Sequence, residues 1–392
     1  MTLGESISLE ELERDPYPIY ARLREDEPAS WVPAVRLWLV TRYDDVRTIC
    51  LAPETFTAAT EPSTLNRTMG VNMLGSEGPD QRRVRRVVEP PFRPRDVEER
   101  TQGMIPKLAH ELIDGFERRG ECDLFREFAD PMSVRSLRFM LGLDEVAWED
   151  LLRWNEGLMP GLANFEGDPA KQAPADEASA ALGEVIDRVL HRVVEEPDGS
   201  VLSWMRHHEA NGDAMSPEEI LANTKLMLSG GLQEPRDLIA LVVFALGSND
   251  GLLDEVRGDH RLIKSAVEET LRWAGPVGTA TRQTTGPTEI AGAELPEGAL
   301  IGAVLSSANR DPRRYTEPDR FDLHRREGAH LAFAAGTHFC LGAWFGRHLS
   351  RVSLEILLDR LPNLRLDPDR PPTLLGWEFR APDSMWVRWD PA

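Results

Sequence analysis

The 392-residue chain carries 45 Lys and Arg against 66 Asp and Glu, a formal net charge of −21, with 41% hydrophobic and 28% charged residues. That is enough apolar sequence for a large core, and the acidity argues against a nucleic-acid or anionic-membrane partner, since both select basic surfaces. A small neutral or weakly charged ligand fits better.

Residues 1–15 are polar and acidic and lack the apolar core of a signal peptide, so no export is expected and the cytoplasm is the expected setting. Asp15-Pro16-Tyr17-Pro18 leads into an amphipathic helical pattern through Leu23. Trp31 to Thr41 reads as a strand, most apolar at Leu37-Trp38-Leu39-Val40, and a helix begins near Tyr43-Asp44-Asp45. Residues 57–76 mix Thr, Asn, Gly, Pro and Met without periodicity and read as a loop. Within it Asn66-Arg67-Thr68 matches a glycosylation acceptor by chance, since no secretion signal accompanies it. After Glu77-Gly78-Pro79-Asp80 come Arg82, Arg83, Arg85 and Arg86. Helical patterns cover 97–119 and 130–156, interrupted near Gly120 and Gly142. Residues 157–178, rich in Gly, Pro, Ala and Asp, read as a mobile connection before periodicity resumes with Leu182, Val185, Ile186 and Val189.

Ser216-Pro217-Glu218-Glu219 combines an N-cap serine, a proline at the first helical position and a Glu three residues after the cap. The pattern it opens runs to Gly247, a natural stop. About thirty residues at 1.5 Å each give a helix of ~45 Å, long enough to cross the molecule. Its Leu238 to Leu246 is the longest apolar run of the chain and falls well short of the ~20 residues of a membrane span. The same helix holds Gly230-Gly231-Leu232-Gln233-Glu234-Pro235, where Pro235 cannot donate to the Gly231 carbonyl and a kink is expected. Leu262 to Trp273 is a second amphipathic stretch, in which Glu269 and Arg272 share a face and can pair. Residues 277–305 alternate as strands do, with turns at Gly286-Pro287 and Pro296-Glu297-Gly298.

Asn309-Arg310-Asp311-Pro312 and Pro318-Asp319-Arg320-Phe321-Asp322 follow, then Phe333-Ala334-Ala335-Gly336-Thr337-His338-Phe339-Cys340-Leu341-Gly342. Cys50, Cys122 and Cys340 are far apart, so neither a disulfide framework nor a zinc site is indicated. Cys340 stands just before the apolar Ala343 to Phe345, as in a tight loop that hands into a helix. A sulfur there faces unsatisfied N–H groups and the positive end of the dipole, which lower a thiol's pKa and make it a better ligand. Gly336 and Gly342 let the backbone close on a flat cofactor.

Taken together, these segments resemble the cytochrome P-450 family. Phe333 to Gly342 match the family's cysteine loop, F-x-x-G-x-H-x-C-x-G, at every fixed position, and the Glu269–Arg272 pair precedes it in the family's order. The resemblance covers essentially the whole chain. It implies a mainly α, large single-domain fold over residues 1–392, helix-rich with a smaller β-rich region, holding haem b (iron protoporphyrin IX) with Cys340 as the metal ligand. It further implies that Arg85, Arg282 and His338 meet the haem propionates, with Gln81 where a histidine is usual, and that Phe333, Gly336 and Gly342 shape the loop around the cofactor. Glu269, Arg272 and Arg320 become a buried structural triad behind the haem. Gly230 and Gly231, with Val277, Gly278, Thr279 and Ala280, become pocket residues, residues 57–76 a cover over the substrate, and 157–178 its moving roof.

One departure bears on the chemistry. Members that depend on a reductase carry an acid and an alcohol in the long helix to deliver protons during dioxygen cleavage. Here Gln233 takes the acid position and Glu234 the alcohol position; a one-residue slip makes Glu234 the acid and Pro235 the alcohol. The threonine is absent either way. A single Glu can take a proton from one peroxide oxygen and return it to the other, and burial moves its pKa toward the useful range. The expected function is therefore oxygen insertion driven by hydrogen peroxide, with Glu234 as acid–base group and Gln233 orienting it or holding water. The Gly-Gly-Leu-Gln-Glu-Pro-Arg-Asp string is similar to that of a small bacterial group associated with O-demethylation of methoxyphenols such as syringol, which implies a small-molecule aromatic substrate. Three alternatives stay open: a monooxygenase fed by a ferredoxin and reductase, docking on Arg82, Arg83, Arg86 and Arg347 and acting on a terpenoid, fatty acid or polyketide; a haem-thiolate isomerase or dehydratase; and a non-catalytic haem-binding protein.

Overall fold

The computed structural model describes residues 2–162, 164, 167–208 and 212–391. Its axis is the Pro217–Gly247 helix, 31 residues long. The start follows from local chemistry: the Glu219 N–H donates to Ser216 Oγ at 3.2 Å while the Ser216 N–H donates to a Glu219 carboxylate oxygen at 2.9 Å. Most of its side chains are buried, and it packs chiefly against the Asp130–Leu141 and Ala343–Arg360 helices. The second of these begins directly after the cysteine loop.

Five strands form the main sheet, in the order Ala29–Val32, Leu37–Val40, Leu300–Val304, Thr279–Thr284, Phe56–Thr57. Leu37–Val40 runs parallel to Leu300–Val304, with Trp38 opposite Ile301; the other pairings are antiparallel. A three-strand sheet of Glu121–Asp123, Trp386–Arg388 and Arg365–Leu366 and two short hairpins complete the β part. Among the described residues no helix is long and apolar enough to cross a membrane.

Several segments differ from the sequence reading. The single strand expected over Trp31 to Thr41 is a hairpin, Ala29–Val32 against Leu37–Val40, because the chain turns through Pro33 and Arg36, which takes a φ of 56°. The 57–76 loop contains a helix, Thr64–Met69, whose N-cap Ser63 accepts from the Asn66 N–H at 3.1 Å. Most of 157–178 is helical too. Trp148–Leu162 and Pro169–Glu195 meet there, and a Cβ on Gly161 would lie 2.4 Å from that of Ala175. The small residues that look like loop formers let two helices approach closely; residues 163, 165 and 166 of the stretch lie outside the described residues.

The triad expected behind the cofactor has a different third member. Arg272 grips Glu269 with two bonds, Nε at 2.8 Å and Nη2 at 2.7 Å, both side chains buried. Arg320 leaves 62% of its side chain exposed, pairs with Glu317, and offers Arg272 only its main-chain oxygen. Arg325, 8% exposed, reaches Glu269 with Nε at 3.1 Å. The chain turns at Asp322–Arg325, where the Arg325 N–H donates to the Asp322 carbonyl at 3.0 Å, and this turn brings Arg325 back onto Glu269 while Arg320 stays on the outside.

Candidate active site

The cysteine loop is held by its own backbone. The Cys340 N–H donates to the Phe333 carbonyl at 3.0 Å, closing Phe333 to Cys340 into a tight loop. Gly336 sits at φ +72°, and a Cβ there would come within 2.6 Å of the Cys50 carbonyl oxygen, so the position requires glycine. Arg347 lies over the Phe333 ring at 4.4 Å and is fixed by Glu268 at 2.6 Å. These contacts leave the Cys340 sulfur little freedom.

Cys340 is open to the space in front of it, yet the protein packed around its sulfur desolvates the thiol and pushes it up to about 11; the Gly342 N–H, Arg85 and Arg347 pull it down, and the charge of Glu234 adds to the rise. This reverses the expectation of a lowered thiol. The helix N-terminus is present, but desolvation of the sulfur outweighs it, and a coordinated metal is what would ionise this group.

Glu234, on the long helix, lies within electrostatic reach of Cys340. Burial raises its carboxyl to about 8, with nearby Asp237 adding to the rise and Arg236 opposing it, and its Oε2 has no hydrogen-bond partner. Arg236 is engaged elsewhere, by Asp237 at 2.8 Å and Asp130 at 3.2 Å. Gln233 lies one residue before Glu234 and one turn before Asp237, whose carboxyl burial raises to about 6 while Arg236 and Gln233 hold it down. The carbonyls around Pro235 are met from a neighbouring helix: Ser133 Oγ donates to the Leu232 oxygen at 2.6 Å and approaches the Gly231 oxygen at 3.4 Å. Gly230 has open space where a side chain would go. Gly231 departs from the pocket role expected of it, because Leu137 fills that space at 2.7 Å; the second glycine serves helix packing. Thr279 is buried with an unpartnered hydroxyl, and Val277 and Ala280 are partly accessible beside it.

Two of the four groups expected around the propionates, His338 and Arg282, meet at one carboxylate, Glu77, and the other two, Arg85 and Gln81, bond the backbone of the cysteine loop. His338 Nε2 lies 2.9 Å from Glu77 Oε1, which also accepts from the Ala58 N–H at 2.9 Å. Arg282 is buried within electrostatic reach of Glu77 and has no ion pair; Nη1 bonds the Thr281 carbonyl at 2.7 Å. Arg85 donates to the Phe339 carbonyl at 2.8 Å and pairs with Glu89 at 3.1 Å. Gln81 donates to the Thr337 carbonyl at 3.2 Å, its Oε1 buried and unpartnered. Glu77 carried no usable signal, since an acid before a helical proline reads as helix-start chemistry.

The donor set suits a flat anionic cofactor. A Cβ on Gly342 would meet nothing within 4 Å, and the buried Arg282 has no carboxylate of its own. Among the described residues no His, Cys, Asp and Glu cluster could hold a bare metal ion, so Cys340 offers one ligand to a metal that brings its others with it. The three arginines besides Arg82 expected in a docking patch are occupied: Arg83 by Glu219, Arg86 by Asp213 and Arg347 by Glu268.

Residues 245–377 match the family model for cytochrome P-450. The chain is 31% identical to cytochrome P-450 107B1 of Saccharopolyspora erythraea over 97% of its own length and 96% of that protein's. It belongs to the cytochrome P-450 family. It is also 32% identical to the cytochrome P-450 monooxygenase PikC of Streptomyces venezuelae, covering 96% of this chain and 91% of the relative. The solved structure of a cytochrome P-450 from Chondromyces apiculatus superposes with a TM-score of 0.89 at 26% identity, over 100% of this chain and 98% of that one. This cytochrome P-450 is thus an oxygenase-family enzyme whose cofactor is haem b, and its helix-rich fold with a small β region is the family's.

Proposed function

We propose that this cytochrome P-450 inserts oxygen from hydrogen peroxide into a methoxylated phenol, with Glu234 as the acid–base group. The observation that carries the reading is a carboxyl within electrostatic reach of Cys340, raised to about 8, with one buried oxygen unpartnered and, among the described residues, no arginine paired to it. Cys340 would ligate the haem iron, with Arg85, Arg282, His338 and Gln81 meeting its carboxylates and displacing the hold of Glu77. When bound, haem supplies the oxidising chemistry, and a thiolate ligand favours O–O cleavage.

Glu234 takes a proton from one oxygen of hydrogen peroxide and returns it to the other, which departs as water. The retained oxygen enters a substrate C–H bond, so substrate and peroxide give an alcohol and water. At a methoxy carbon the product is a hemiacetal, which collapses to formaldehyde and a phenol. Gln233, one residue away, holds the carboxyl or a water in place. The setting inferred for this reaction is the cytoplasm.

A second reading, a monooxygenase fed by a ferredoxin and reductase, is favoured by relatives named as monooxygenases and hydroxylases, among them a steroid C26-monooxygenase and a vitamin D(3) 25-hydroxylase. Turnover of syringol with hydrogen peroxide alone, against NADH with a ferredoxin and reductase, separates the two. Formaldehyde release with peroxide, lowered on the order of 100-fold in Glu234→Gln, is the expected result. Product from the electron-transfer system only would overturn the peroxide reading. Loss of the thiolate band of the carbon monoxide difference spectrum in Cys340→His tests the ligand separately.

A further inference from the structure

Lys225 stands two turns before the Gln233–Glu234 pair on the long helix and is only 7% exposed. Its Nζ donates to Ser179 Oγ at 2.8 Å, and that hydroxyl donates onward to the Thr68 carbonyl at 2.7 Å. Burial lowers its pKa, and among the described residues no carboxylate pairs with it. In a chain of 66 acidic and 45 basic residues, a buried ammonium without a counter-ion among the described residues is unusual. Such a charge is costly to bury unless something pairs with it.

Lys225 lines a cavity of about 520 Å³ between the 66–72 segment, Ser179 and the first turns of the long helix. The charges there are graded. Asp80, Glu218 and Arg67 are exposed and Glu219 is tied to Arg83, whereas Lys225 lies buried. Thr68, in the same lining, keeps a buried hydroxyl with no hydrogen-bond partner. Met69, Val84 and Leu221 supply apolar wall.

We propose that this cavity binds the carboxylate of a small amphiphilic acid, with Lys225 as its counter-ion and the apolar wall receiving its tail. An ammonium has three donors, and Ser179 takes one, which leaves two for carboxylate oxygens. Lys225, Ser229 and Gln233 recur every four residues and share a face, so Lys225 lies about 12 Å along the axis from Gln233. An acid anchored at Lys225 lays its tail against Met69, Val84 and Leu221. The proposal does not depend on whether peroxide or a reductase drives the enzyme.

Isothermal titration of the haem-loaded protein with sodium octanoate and with octan-1-ol at pH 7.5 tests it. Octanoate should bind at least 10-fold more tightly than the alcohol, and Lys225→Met should remove that preference while leaving octan-1-ol affinity unchanged. Equal affinities in the wild type, no octanoate binding, or a preference retained in a folded Lys225→Met protein would each overturn the assignment. The wild-type comparison needs no variant, so it decides the matter even where Lys225→Met fails to fold.

Discussion

Glu234 and Cys340 answer to the same physical cause in the same direction. Burial disfavours the charged form of both, so the carboxyl is held protonated into the neutral range and the thiol well above it. A carboxyl at about 8 is mostly protonated at pH 7, yet only its ionised form can accept a proton from peroxide. Raising the pH therefore increases the active form until about 8, after which nothing more is gained. The peroxide-supported kcat/KM should climb by up to about tenfold per pH unit below 8 and level off above it. A pH–rate profile from 6 to 9.5 measures this, and Glu234→Gln should flatten it at a low rate. A wild-type profile without that rise would mean that Glu234 is not the base. Little of this balance is visible in sequence: the motif around Cys340 indicates a ligand and the helix after it a lowered pKa, but the desolvation that opposes it comes from long-range packing and belongs to the folded chain.

The long helix shows how far local chemistry carries a reading. Ser216, Pro217, Glu219 and Gly247 mark its ends because capping involves residues within a turn of one another. Pro235 is equally legible as a break in the hydrogen-bond ladder. What meets the carbonyls there is not, since Ser133 comes from a helix almost a hundred positions earlier. Gly157 and Gly161 mislead for the same reason: alone they read as a loop, and only the facing Ala178 and Ala175 make them packing contacts. Ser133→Ala should cost about 1–2 kcal/mol, because it removes a hydrogen bond and leaves a buried carbonyl with poorer satisfaction. Ser136, on the same helix, has a buried hydroxyl without a partner, so Ser136→Ala should be neutral or slightly stabilising. Urea denaturation of the haem-loaded variants, followed by far-ultraviolet circular dichroism, compares them directly. A Ser136→Ala penalty equal to that of Ser133→Ala would remove the special role given to Ser133.

At the scale of the whole molecule, the order of motifs was enough to place the helix-rich body and the small β region, because the Glu269–Arg272 pair and the cysteine loop are contiguous strings. The contact that joins them is long-range. Glu269 accepts from Arg272, from Arg325 and from the Asp322 N–H at 2.9 Å, so one carboxylate ties the Ile263–Ala274 helix to the chain leading into the cysteine loop. Arg272 continues the tie through the carbonyls of Asn309, Pro318 and Arg320. The choice between Arg320 and Arg325 is set by the turn at Asp322–Arg325, a long-range packing outcome with no periodic signal in the sequence. The two arginines should therefore behave differently when removed. Arg320→Ala gives up an exposed pair with Glu317 and should change stability by no more than about 0.5 kcal/mol. Arg325→Ala leaves Glu269 buried with half its cationic partners and should cost about 3–5 kcal/mol. Because Glu269 anchors the approach to Cys340, the second variant should also lose haem more quickly, measured by transfer to apomyoglobin. If Arg320→Ala were the more damaging of the two in both measurements, the buried partner of Glu269 would have been assigned to the wrong arginine.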